Sequence, residues 1–197
     1  MMSRKIILAS SSPRRSEILG KMGLEFEILP SDYEEILDNV VFSYEKIEEL
    51  AYNKAMSALK ILSTHSPFTI YHSLILSADT VVVLDNGILG KPQDVADAVN
   101  MLLALSGKRH SVVTSICAIR TSDMEKCMLS TTSYVEFNIL SEDLIKNYIE
   151  EFKPFDKAGS YGIQELPDGF IKSVEGSFEN IIGLCPIAVK EVLKKIN

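Results

Sequence analysis

The sequence predicts an α/β fold built on a mixed sheet. Strand-like and helix-like segments alternate along the whole chain, the pattern of helices packed on a sheet. One tight turn, Asp85-Asn86-Gly87, joins two apolar runs and favours the positive φ angles of a hairpin, so at least one strand pair is antiparallel. With 197 residues, 46% hydrophobic and 24% charged, the chain can bury a core without disulfides or a structural metal. One domain over 1–197, with two lobes, is expected.

The elements follow in order. Lys5 to Ala9 is a short apolar strand that stops at Ser10-Ser11-Ser12-Pro13. A helix follows from Arg14 to Met22, with proline in its first turn, where a missing N–H costs nothing. Phe26 to Leu29 reads as a second strand. Ser43 to about Leu62 is the longest helical pattern, with Ile47, Leu50, Ala51, Ala55, Ala58, Leu59 and Leu62 on one stripe. Leu74 to Leu84 is a nearly continuous apolar strand interrupted by Asp79 and Thr80. After the hairpin, Pro92-Gln93-Asp94 opens a helix from Val95 to Leu105, closed by Gly107. Val112 to Arg120 and Met128 to Leu140 are longer strands, and Ser141-Glu142-Asp143 caps a helix running to Phe152. Lys153 to Pro167 is a loop, Phe170 to Val174 a short strand, and Pro186 to Ile196 a final helix.

Bulk properties exclude several classes. The apolar run Ile6-Ile7-Leu8-Ala9 is too short for a signal-peptide core or a membrane span, so a cytoplasmic protein without a membrane partner is expected. Cys117, Cys127 and Cys185 are odd in number and lack CxxC spacing, which points to reduced, mostly buried thiols. A net charge of −7 disfavours a long nucleic acid as partner, while a small polyanion needs only a local basic cluster.

Several segments could do chemistry. Ser10-Ser11-Ser12-Pro13-Arg14-Arg15 stands where a strand meets a helix N-terminus, where free N–H groups and the helix dipole attract phosphate. Its two guanidiniums match phosphate oxygens bidentately, although a capped helix with solvated arginines has the same pattern. Asp79 is the strongest anomaly: a carboxylate in so apolar a strand must be paired, bound to metal or functional. Lys54 falls on the apolar stripe of its helix, where a lysine either snorkels to water or aims its amine at a bound anion. Lys91 is held between Gly90 and Pro92. The loop from Asp156 to Gln164 offers Lys157, glycines and, in Gln164, a donor and an acceptor suited to a nucleobase edge. Glu34 and Glu35 could help hold a divalent cation, whereas His65, His72 and His110 have no metal spacing.

Taken together, Leu8 to Arg15, Ala78-Asp79-Thr80, Gly90-Lys91-Pro92, Leu105-Ser106-Gly107 with His110, and Asp156 to Gln164 resemble the Maf family in order and spacing. The resemblance implies an elongated two-lobed α/β fold similar to the inosine triphosphate pyrophosphatases, with a central substrate cleft. It also implies pyrophosphate release dependent on magnesium or manganese, and a homodimer. Arg14, Thr80 and Gln164 resemble the specificity positions of members acting on dTTP and UTP. Members acting on 7-methyl-GTP carry another residue in place of Arg14 and lack the Tyr-Gly-Ile-Gln run. Gly183-Leu184-Cys185-Pro186 departs from the family's Gly-Leu-Pro by moving the proline one place.

On this basis Ser10, Arg14, Arg15, Lys54, Thr80, Lys91, Lys157 and Gln164 are expected to bind a nucleoside triphosphate. Asp79, with a divalent ion and Glu35, is expected to activate the attacking water. The competing expectations are a nucleotide-binding regulator of cell division without significant turnover, a 7-methyl-GTP-type pyrophosphatase, and a non-catalytic scaffold that would leave Asp79 unexplained.

Overall fold

The computed structural model describes residues 4–34, 41–65 and 73–196. Strands β1 (Lys5–Leu8), β2 (Phe26–Ile28), β3 (Ser73–Leu84), β4 (Gly87–Leu89), β5 (Arg109–Arg120), β6 (Lys126–Phe137) and β7 (Ile171–Glu175) form one mixed sheet. Helices α1 (Pro13–Lys21), α2 (Tyr44–His65), α3 (Val95–Leu105), α4 (Glu142–Phe152), α5 (Phe178–Ile182) and α6 (Pro186–Ile196) cover it. The strand order is β2-β1-β3-β5-β6-β7; β1 lies parallel to β2 and β3, and the rest pair antiparallel.

The predicted hairpin forms: Asp85 and Asn86 both take positive φ, and β4 folds back on the end of β3. That return leaves a gap. One edge of β3 is paired throughout with β5, while the other is covered by β1 at Ser73 to Leu76 and by β4 only from Val82 onward. Between these two partners lie Asp79 and Thr80, on a strand edge open to a cleft. The cleft also faces the carboxyl end of β1, the position where open α/β sheets bind ligands.

The two faces of β3 differ. Ile75, Val81 and Val83 pack under α2 with Ile7, Ile47, Ala51 and Ala55. On the opposite face the apolar layer is divided. Leu76, Ala78, Ile116 and Ala118 pack under α1 and α6, whereas Val82, Val112 and Val135 pack further along with α3, α4 and Phe170. Between these clusters runs a polar belt of Thr80, Thr114 and Ser133, filled by the fully buried Asn180 of α5. The belt separates much of the two apolar layers, which still meet at Ile182 of α5.

Some boundaries differ from the expected ones. β6 ends at Phe137 and not at Leu140, because the register shifts at Glu136/Phe137 and the Asn138 N–H turns to the Phe170 carbonyl. The five-residue helix α5 has no counterpart in the sequence reading, although Ser177 caps it by accepting from the Asn180 N–H. Cys117 and Cys185 are buried, Cys127 is partly so, and all are free thiols. No helix among the described residues is long and apolar enough to cross a membrane.

Candidate active site

The open edge of β3 forms the floor of a cavity of about 340 Å³. Ser10, Arg14, Arg15, Lys54, Asp79, Thr80, Lys91, Lys157 and Gln164, all singled out from the sequence, line it. Glu35 and His72 lie outside the described residues, but Ser31 and Tyr33, just before Glu35, reach the same cavity.

The first wall is regular structure. β1 ends at the serine-rich loop, where the Ser12 N–H donates to Ser10 Oγ at 3.2 Å, and Pro13 starts α1. The first turn of α1 contains no acidic side chain and Ser12 makes no side-chain cap, so the positive end of the helix faces the cavity uncompensated. Arg15 is a tie between segments. It donates to Ser10 Oγ at 3.1 Å, to Thr80 Oγ1 at 3.2 Å and to the Gly183 carbonyl at 3.0 Å. Thr80 Oγ1 is 2.9 Å from Thr114 Oγ1, which donates to the Asn180 carbonyl at 2.9 Å. Asn180 in turn donates to the Val112 carbonyl and to Ser133 Oγ, which carries the network across the sheet.

Asp79, only 2% exposed, forms an ion pair with Lys54. Of the two sequence readings of Lys54, snorkelling to bulk water does not describe its place: its amine turns inward to the cavity, with the side chain 11% exposed. One helical turn away, Ser77 Oγ donates to the Ala51 carbonyl at 2.5 Å and fastens α2 to β3. Two groups that would be costly to bury apart thus share a fixed position.

The second wall is irregular. Lys91 is exposed at the rim, and the preceding Gly90 carbonyl accepts from the Gly159 N–H at 2.9 Å. Gly159 sits at φ +65 in a short 3₁₀ turn, and a Cβ there would meet Val82 Cγ2 at 2.9 Å, so a side chain is excluded on both counts. Lys157, 9% exposed, lies between Asp156 (2.9 Å) and Glu165 (3.1 Å). It runs so close under Gly162 that a Cβ would fall 2.8 Å from Lys157 Cε. Arg14 reaches across the cleft to Asp156 at 3.2 Å. Behind the loop, Tyr161 OH lies 2.8 Å from His110 Nε2, and Tyr148 OH accepts from the Gly162 N–H at 3.0 Å. Burial pushes His110 down to about 4, so its ring is neutral at neutral pH, and pushes the Tyr148 hydroxyl up to about 12.

Glu165 and the Thr114-Asn180-Ser133 belt were not picked out from the sequence. Glu165 follows the quoted motif by one residue; the belt becomes visible only when Thr114 is read as a polar break in β5 opposite Thr80. Among the described residues no group of three or more His, Cys, Asp and Glu side chains could by itself hold a metal ion.

Comparison with known proteins is concordant. A family model described as "Maf-like protein" matches residues 5–196. A dTTP/UTP pyrophosphatase of Ruminiclostridium cellulolyticum is 41% identical over 195 residues, covering 98% of this chain and 97% of that protein. A dTTP/UTP pyrophosphatase of Thermosipho africanus is 44% identical over 191 residues, covering 96% and 92%. Among solved structures, a HAM1 protein from Coxiella burnetii aligns with a TM-score of 0.46 at 18% identity, covering 68% of this chain and 73% of that one. With the family model matched over nearly its whole length, the chain belongs to the Maf family.

Proposed function

We propose that this protein is a nucleoside triphosphate pyrophosphatase that hydrolyses dTTP, UTP and modified pyrimidine nucleotides to the monophosphate and pyrophosphate. The observation that carries this reading is the placement of one buried carboxylate, Asp79, on the floor of a nucleotide-sized cavity lined by Arg14, Arg15, Lys54, Lys91 and Lys157. The names of the relatives support the substrate class.

The triphosphate lies across the positive end of α1, with the lysines compensating its charge. Asp79 accepts a proton from water as the water oxygen bonds to the α-phosphorus. The bond from that phosphorus to the bridging oxygen breaks, and the oxygen leaves with pyrophosphate. The protein contributes mainly positioning and fixed charge, as phosphoryl chemistry requires. Lys54 holds the Asp79 carboxylate in place. Gln164 and Arg14, on opposite walls, read the base, and Thr80 is held for the same purpose by Arg15 and Thr114.

A magnesium or manganese ion suits this donor set, because such ions take one or two carboxylates and complete their shell with phosphate oxygens and water. Asp79 supplies one carboxylate inside the cavity, and Glu35, two residues beyond the cavity-lining Tyr33, would supply another. The ion would offset phosphate charge and acidify a bound water. A cytosolic homodimer completes the proposal; the free thiols suit that compartment.

The test is incubation of the purified protein with each common nucleoside triphosphate and either metal, followed by detection of products. Monophosphate and pyrophosphate in equal amounts from dTTP and UTP are expected. Tight binding without turnover would instead favour a nucleotide-sensing regulator, and preferential turnover of 7-methyl-GTP would reassign the substrate.

A further inference from the structure

We propose that His110 is a positioning residue for pyrimidine recognition, acting through Tyr161 on the loop that carries Lys157 and Gln164. The proposal rests on the pyrophosphatase reading above and adds to it a residue that does not touch the cavity.

The loop crossing the second wall lacks strand partners and is anchored by the burial of Tyr161 and Ile163 and by a few hydrogen bonds. One end is pinned by the Gly159 N–H on the Gly90 carbonyl and the middle by the Gly162 N–H on Tyr148 OH. Tyr161 stands between them, 5% exposed, with its ring edge-on to both Phe137 and His110 and its hydroxyl 2.8 Å from His110 Nε2. Tyr161 and Ile163 are buried and Gln164 is exposed, and all three line the cavity. Any shift of Tyr161 is therefore passed forward to Gln164 and backward to Lys157.

The other partner cannot yield. His110 is on β5, paired with β6 through Val135, and is 3% exposed against Phe137 in the cluster that holds Val82, Val112 and Val135. Loss of one hydrogen-bonding partner leaves a buried polar group unsatisfied, and the structure relieves this by moving whichever side is softer. Here that side is the loop. Truncating His110 should accordingly disturb recognition before it disturbs the sheet. A neutral imidazole, as burial dictates, always offers one donor and one acceptor nitrogen, so the bond to a hydroxyl is preserved in either tautomer.

His110→Phe keeps an edge-on ring and removes the imidazole side of the bond; Tyr161→Phe keeps its ring and removes the hydroxyl side, and the double variant removes both. The measurements are steady-state kinetics with UTP and CTP, which differ on the polar edge of one ring. Equilibrium binding of their α,β-imido analogues is measured alongside. Each single variant should raise the KM for UTP about five- to tenfold with a smaller change in kcat, and should lose part of its preference for UTP over CTP. The double variant should return to within about twofold of the wild type, because replacing both partners by apolar groups is nearly neutral. Unchanged KM and base preference in the single variants would overturn the proposal, as would a double variant no better than its parents. If His110→Phe fails to fold, Tyr161→Phe and the double variant give the same decision. Selective analogue binding by a wild type that hydrolyses nothing would sink the pyrophosphatase reading and leave this one to the binding data.

Discussion

On one wall of the cleft the polar groups ride on regular structure: Asp79 on a central strand, Lys54 on a helix fastened to that strand, and Arg15 on a helix tied to β3 and the Gly183 turn. On the other wall Lys157 and Gln164 ride on an irregular run without strand partners, held by hydrogen bonds to Gly90, Tyr148 and His110 and by the burial of Tyr161 and Ile163. The difference bears most on the bond-cleaving half of the proposed reaction. Bond cleavage needs donors and acceptors that hardly move, and β3 and α2 provide them. Base selection draws on both walls, with Arg14 and Thr80 on the first and Gln164 on the irregular second.

Substitution of Asp79 probes the rigid wall most strongly. Asp79→Asn should lower kcat by about 10²–10⁴-fold, the range associated with loss of a general base, while circular dichroism shows an intact fold. A purified Asn variant with near-normal turnover removes Asp79 from the chemistry. Next in size is Lys54→Met, which leaves a carboxylate in place at 2% exposure without its amine. Breaking a buried pair from one side costs about 3–5 kcal/mol, and urea unfolding should find that loss partly recovered when Asp79→Asn is added. Equal stability of Lys54→Met and wild type would mean that this wall is as adaptable as its counterpart.

Acid should weaken the cluster around Phe137 through His110. Its folded value, about 4, lies below the ordinary 6.5 because of burial, so between these values the unfolded chain binds the extra proton and the folded chain does not. Stability therefore rises with pH across this window, and it is lost as pH falls from about 6.5 towards 4, by about 3 kcal/mol in all. Denaturation midpoints measured from pH 7 to pH 4.5 should show a slope that His110→Phe removes. A slope of the same size in that variant would assign it to other groups.

Most of the rigid wall was legible in the sequence, for a physical reason. A charge inside an apolar run contradicts local burial, and Asp79 stands out on that ground alone. The hairpin at Asn86-Gly87 and the capped helices follow from short-range rules of the same kind. The loop wall carries no such local contradiction. Lys157 and Gln164 stood out only as polar groups in a glycine-containing loop until the order of several weak motifs was added, and the bond between His110 and Tyr161 spans 51 positions that no periodicity connects. Helix α5 was missed because five residues give too few turns for an apolar stripe to repeat. The belt it fills, which lies between two apolar clusters, was missed with it. Glu35 falls outside the described residues, so its expected part in metal binding stands as the sequence left it.

The smallest effect is expected where the walls touch. Arg14 of α1 reaches Asp156 at 3.2 Å, and the same carboxylate lies 2.9 Å from Lys157, yet it remains 61% exposed. Ion pairs so open to water contribute about 0–1 kcal/mol and are screened by salt. Asp156→Asn should thus leave the melting midpoint almost unchanged. Its effect should fall on substrate binding, because the carboxylate competes with the bound nucleotide for both cations. Releasing them should lower the KM for UTP by at most about fivefold at low ionic strength, with the gain fading as salt is raised. A rise in KM of tenfold or more, insensitive to salt, would show that the loop wall takes its shape from the bridge across the cleft and not from the anchors beneath it.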